Sequence, residues 1–201
     1  GFIILAIVLF SALVAPEVLV SDRRNGMLAM YLSTPLDRRT YLASKAIAVI
    51  STLGLVTVGP PLLLLIGYTV ESAGPDGFGS WLWTVVRIIA SGAAISAALA
   101  AVSMAASSLT DRRAFAAIGI VLLVLASPIL AAALVEGADL SPSWRLLDIS
   151  TMPFELVFRI FDQPGNFPEL STWSVLVSNL VWTIGGIAVV WWRYSKLVIA
   201  R

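Results

Sequence analysis

The chain has no cysteine and no histidine in its 201 residues. Their absence removes disulfides, thiol nucleophiles, imidazole acid–base chemistry and the usual soft-metal ligand sets. Charge is scarce as well: Asp, Glu, Lys and Arg make up 12% of the chain, about half the roughly 25% of an ordinary soluble domain. No Gly-Lys pair occurs anywhere. A phosphate-cradling loop of the P-loop type is therefore excluded, because it needs glycine amides to surround the phosphates and a lysine to reach them. No aspartate lies inside a long apolar run, and paired intramembrane aspartates go with it. The ionisable groups nearest the apolar runs are Glu17, Lys45 and Arg87. All three stand near run ends, whereas ion-coupled transport places such groups near the bilayer midplane. No catalytic, cofactor or metal site is expected in this chain.

What the chain has in excess is apolar length. Hydrophobic residues make up 59% of it. Five apolar runs, at about 1–20, 41–68, 82–109, 114–135 and 173–192, each approach or exceed the roughly 20 residues needed to cross hydrocarbon as a helix. The fold class is all-α: a polytopic membrane helix bundle forming one transmembrane domain over 1–201. Pro16 and Pro128 are expected to kink their spans, and Gly59-Pro60-Pro61 to bend or break the far third of the second. Gly92, Ser96 and Ala100 repeat at four-residue spacing, and Gly185-Gly186 stand together in the last run. Small residues let helices approach closely where lipid supplies no hydrophobic drive for association, so these are read as helix-packing positions. Trp81 and Trp83 mark an interface, and Arg87, about five residues further in, snorkels back towards it.

Two polar stretches interrupt the runs. In the first, Asp22 to Lys45 (DRRNGMLAMYLSTPLDRRTYLASK), Arg23 and Arg24 precede a short apolar core and Arg38 and Arg39 follow it. Gly26 and Pro35 mark the ends of that core. Met27, Leu28, Tyr31 and Leu32 share one face of a two-turn helix, and such a face needs a partner. Thr34 precedes proline, so the helix stops there. In the second stretch, 136–172, Ser141-Pro142 and Pro153 each open a short helix. Phe154, Val157, Phe158 and Phe161 share a face of the latter, which predicts helices lying at the membrane interface.

The order of a charged Asp-Arg pair, a glycine, a short amphipathic helix, Pro-Leu-Asp-Arg and a lysine at the foot of the next run resembles the permease subunits of type-2 ABC transporters. The resemblance extends over essentially the whole chain. In that family this loop joins the second and third membrane helices and docks on a separate ATP-binding subunit. It implies ATPase-coupling roles for Asp22, Arg23, Gly26, Met27, Leu28, Tyr31, Leu32, Pro35 and Lys45. Met27 and Ala29 stand where the family usually has threonine and an acidic residue, so the docking face here is less polar. The resemblance also implies ATP and magnesium on the partner rather than on this chain, a second permease subunit in a homodimer or heterodimer, and an external gate at Phe154, Phe158 and Phe161. No nucleic-acid partner is expected. A scaffold that binds a cytoplasmic partner through the same loop without moving a substrate is the competing class.

Charge placement orients the bundle. With the 22–40 loop in the cytoplasm, ten of the thirteen basic residues lie inside and only Arg87, Arg145 and Arg159 lie outside, as the positive-inside rule requires. The carboxyl terminus is then cytoplasmic and the bilayer is the plasma membrane. Five spans ending inside leave Gly1 outside, so a sixth span before it is expected. The spans offer mainly Ala, Leu, Val and Ile, and such walls suit an apolar or amphiphilic cargo, not a hydrated ion or free sugar. The orientation predicts that a cysteine introduced at Asp76 will react with an impermeant thiol reagent from the outer side only. Labelling from the cytoplasmic side alone would reverse the topology.

Overall fold

The computed structural model describes residues 2–25 and 37–196. Among them helix is the only regular structure. Five long helices alternate in direction: α1 (Phe2–Arg24), α2 (Arg38–Val70), α3 (Gly77–Ser108), α4 (Arg113–Ala132) and, after a connecting region, α6 (Thr172–Ser195). The connecting region holds a π-helical turn over Ala133–Gly137, a 3-10 helix over Pro142–Leu147 and α5 (Met152–Ile160). Four helices are long and apolar enough to cross a membrane: Arg39–Val70, Gly77–Ser108, Arg113–Gly137 and Thr172–Ser195. The apolar part of α1, Ile4–Val20, is shorter.

Helix α3 is the axis of the bundle. Of its most apolar stretch 56% is buried, against 22%, 22% and 28% in the other three spanning helices, and α1, α2, α4, α5 and α6 all pack on it. Its sequence permits this because one helix can be enclosed by several others only where its side chains are small. Ser91, Gly92, Ser96, Ala98, Ala100, Ala101, Ser103 and Ser107 are all buried. Three of the serine hydroxyls bond back to their own helix, Ser96 Oγ donating to Gly92 O (2.7 Å), Ser103 Oγ to Leu99 O (2.6 Å) and Ser107 Oγ to Ser103 O (2.7 Å). Their polarity is thereby spent locally, and they act as packing residues.

Two glycines set the closest approaches. A Cβ placed on Gly92 would lie 2.2 Å from Val58 Cγ2, and there Thr57 Oγ1 of α2 donates across to Gly92 O at 3.1 Å. A Cβ on Gly186 would lie 2.6 Å from the Ala101 carbonyl oxygen. Gly185 faces the other way, with nothing within 4 Å of a Cβ there. The remaining helices present one face each to this axis. In α1 it is Val8, Ala12, Ala15 and Leu19, and in α2 it is Leu42, Val49 and Leu53, while Leu13, Ile47, Leu55 and Leu63 point outward. Outward leucines on every helix are what a lipid-facing surface requires.

The prolines do not interrupt their helices. Helix α2 runs through Pro60 and Pro61 without a break, which leaves a bend as the form that the expected bend or break can take, and α1 and α4 continue through Pro16 and Pro128. Each proline removes one amide donor from the ladder, and in a membrane helix neighbouring helices and hydroxyls compensate. Pro16 is fully buried in the core, and beside Pro128 the Ser127 hydroxyl accepts from Ile149 N at 3.1 Å. The departure from α-geometry comes later, in the π turn at Ala133.

The difference between the adjacent glycines is testable. Gly186→Val drives a side chain into the Ala101 backbone, which cannot yield as a flexible side chain would, and should destabilise the bundle by about 1–3 kcal/mol or more. Gly185→Val should be nearly neutral. Thermal unfolding of the two variants in the same detergent checks this, and equal losses would remove the asymmetry.

Candidate functional site

The chain has two chemically different ends. One gathers the turn between α3 and α4, the last turn of α1, the first of α2 and the last of α6, and it is basic. Here Arg113 at the start of α4 pairs with Glu17 of α1. Arg193 Nε of α6 donates to Ser108 O of α3 at 3.4 Å. The rings of Tyr41 and Tyr194 are 6.2 Å apart, which joins α2 to α6, and the Arg39 guanidinium lies 5.6 Å from the centre of the Trp191 ring. Lys45 sits one turn along from Tyr41 with its Nζ 5.6 Å from that ring.

Asp22 and Arg23 fall in the last turn of α1. Gly26, Met27, Leu28, Tyr31, Leu32 and Pro35 lie outside the described residues. What the structure contributes is the pair of helix ends that flank them, the end of α1 and the start of α2, both at the basic end.

The opposite end carries the connecting region as a docked cap. Ser141 starts the 3-10 helix by accepting from Ser143 N (3.4 Å), with Pro142 behind it. Asp148 is buried and prepares α5, its Oδ1 accepting from Ser150 N and Thr151 N (both 2.9 Å) and from Ser150 Oγ (2.7 Å). The cap is then fastened to three spanning helices. On α6, Ser178 Oγ and Trp182 Nε1 both donate to Leu146 O (2.8 and 3.2 Å), and Asn179 Nδ2 donates to Met152 O (3.1 Å). On α4, Ser127 takes the Ile149 amide described above. On α3, Arg87 pairs with Asp162, its guanidinium 5.4 Å from the Trp83 ring centre and 6.0 Å from that of Phe161.

A fully buried carboxylate lies at the centre of the cap. Glu155 pairs with Arg159 one turn on (3.1 Å) and accepts from the amides of Asn166 (2.8 Å) and Phe167 (3.4 Å). Arg159 in turn donates to the carbonyls of Phe167 (2.8 Å) and Leu170 (3.2 Å). The return loop closes over the pair at Gly165, whose φ of +71° and position, 2.1 Å from Glu155 Oε1 to a built Cβ, suit glycine alone.

The predicted phenylalanines occupy different surroundings. Phe154, with Val157, packs partly buried on the main core, Phe158 is the outward one at 37% exposure, and Phe161 ends α5 beneath Arg87. The most deeply buried face of α5 is Met152, Glu155 and Leu156. The helix therefore packs this face on the bundle as part of the cap. Glu155, Arg159, Asp148, Ser178 and Asn179 were not singled out from the sequence. The available signal was Glu155 and Arg159 at i and i+4 inside an otherwise apolar segment.

A family model described as ABC-2 family transporter protein matches residues 2–197. No curated protein matches the chain.

The cap yields a graded test. Glu155→Ala leaves the Arg159 guanidinium buried without its carboxylate and should cost about 3–5 kcal/mol. Asp162→Ala removes a pair whose carboxylate is 76% exposed and should cost at most about 1 kcal/mol. Apparent melting temperatures in detergent measure both, and a larger loss for Asp162→Ala would contradict the assignment.

Proposed function

Because the chain belongs to the ABC-2 transporter family, and is thus a membrane transport subunit, we propose that it forms the translocation pathway of an ATP-driven exporter in the plasma membrane. ATP and magnesium bind a separate subunit. That subunit docks at the basic end on the 22–40 segment, through the apolar face of Met27, Leu28, Tyr31 and Leu32. A second permease chain, the same or different, completes the pathway, and the cargo is apolar or amphiphilic.

The observation that carries this reading is the electrical asymmetry of the two ends. Segments at the basic end hold ten basic and four acidic residues, a balance of +6, and segments at the capped end hold three basic and eight acidic, a balance of −5. Moreover each arginine of the capped end has a carboxylate partner there: Arg87 with Asp162, Arg145 with Glu136, and Arg159 with Glu155. The unbalanced positive charge therefore belongs to the end that bears the docking segment, which supports a cytoplasmic position for it. The sequence has no Gly-Lys pair, which accords with an energy source on a partner docked at that end.

Burying Leu28 or Leu32 in a groove of the ATPase is worth about 1.5–3 kcal/mol each, or roughly 10- to 100-fold in affinity. Leu28→Asp or Leu32→Asp should therefore release the ATP-binding subunit on purification, or abolish cargo-stimulated ATP hydrolysis, while the chain still inserts. Unchanged co-purification and unchanged hydrolysis in both variants would refute the docking role of this face.

A further inference from the structure

A groove of about 610 Å³ opens on the flank of the bundle between α2 and α6, with α3 as its floor. Its depth comes from alanines, Ala43 and Ala46 on one wall and Ala97, Ala100 and Ala101 beneath. Its polar atoms are few. The Thr183 hydroxyl is already committed to Asn179 O at 2.7 Å, which leaves Arg39 as the polar group of consequence. Arg39 stands at the basic rim, exposed, with its guanidinium carbon over the Trp191 ring of the opposite wall at 5.6 Å from the ring centre. None of the residues lining the groove is acidic.

The length of the groove limits what can fill it. Along α2 it runs from Arg39 to Ile50, eleven residues and therefore about 16 Å at 1.5 Å per residue. That is one leaflet, half of the roughly 30 Å hydrocarbon thickness. A partner transmembrane helix would need the full depth. A hydrated solute would need polar walls that are absent. An acyl chain entering from the basic-end leaflet fits both the length and the apolar lining, and it places its head group at Arg39. An exposed guanidinium beside an aromatic ring has N–H groups to spare for charge-assisted hydrogen bonds to a phosphate.

We propose that the α2–α3–α6 groove binds one acyl chain of an anionic phospholipid from the basic-end leaflet, with the lipid phosphate held at Arg39 and Trp191 closing the mouth. The proposal rests on the orientation given above for its leaflet, but not on ATP-driven transport.

Trp191 is a built-in reporter. The full chain is reconstituted in phosphatidylcholine vesicles containing phosphatidylglycerol, with brominated chains on one lipid or the other at equal mole fraction, and the Trp191 contribution is isolated by comparison with Trp191→Phe. Brominated phosphatidylglycerol should quench that component at least about twofold more than brominated phosphatidylcholine, the sign of a charge-assisted preference for the anionic lipid. Arg39→Gln should bring the ratio to one, and Ala46→Phe, which fills the groove from an accessible position, should lower quenching by both lipids. Equal quenching in the unmodified chain, or a preference surviving both substitutions, would overturn the proposal. So would a Trp191 shielded from both lipids until the protein is diluted in the membrane, which would assign the groove to a second copy of the chain. No step uses ATP or a partner subunit, so this result and the failure of the exporter reading are separately observable.

Discussion

The contact on which the rest of the bundle depends is the close approach of neighbouring helices to glycine backbone, at Gly186 with the Ala101 backbone and at Gly92 with the side chains of Val58 and Thr57. In water, a helix like α3 would be enclosed because burying its apolar side chains releases them from solvent. In hydrocarbon that drive is absent, and cohesion must come from the dispersion gained at close range and from hydrogen bonds across the seam. A row of alanines, glycines and serines is therefore the binding surface itself. It allows α1, α2 and α6 to reach α3 at once, and it leaves the large side chains of those helices to face lipid.

The cap at the opposite end obeys the same constraint in another form. Irregular backbone next to a membrane is tolerated only when its amides and carbonyls find partners inside the protein. In the 138–171 region they do: Leu146 O takes two donors from α6, Met152 O takes Asn179, Ile149 N gives to Ser127, and Glu155 with Arg159 collects two amides and two carbonyls of the return loop. Burying an ion pair is costly by itself. Here the pair organises about ten residues of loop that have little apolar surface of their own.

The helices were legible from the sequence because hydropathy is a one-dimensional signal: apolar runs near 41–68, 82–109, 114–135 and 173–192 all fall within helices. Ser141-Pro142 and Pro153 also opened helical turns as read, because capping is local chemistry. What hydropathy could not give was tertiary. The helix runs on through Pro60 and Pro61, and Gly185 and Gly186 look alike in sequence although only the second faces Ala101. The aromatic stripe of α5 drew attention away from Glu155, since a lone acidic residue reads as solvated until Asn166, Phe167 and Gly165 are seen to fold back on it. The coupling positions from Gly26 to Pro35 rest on pattern and resemblance, with the structure supplying only the helix ends to which they attach.

The two ends are joined by different kinds of contact. The cap meets α3, α4 and α6 through buried, multiply connected hydrogen bonds. At the basic end the contacts among the described residues include the Tyr41–Tyr194 rings, the Arg193 to Ser108 bond and the exposed Arg113–Glu17 pair. Helices α2 and α6 each rest on α3, but the clamp at Gly186 holds α6 while the groove separates its lower half from α2. Arg39, at the groove's rim, stands in the first turns of α2, so under the proposed docking at 22–40 an acyl chain seated between Arg39 and Trp191 would be close to the turn on which the partner acts.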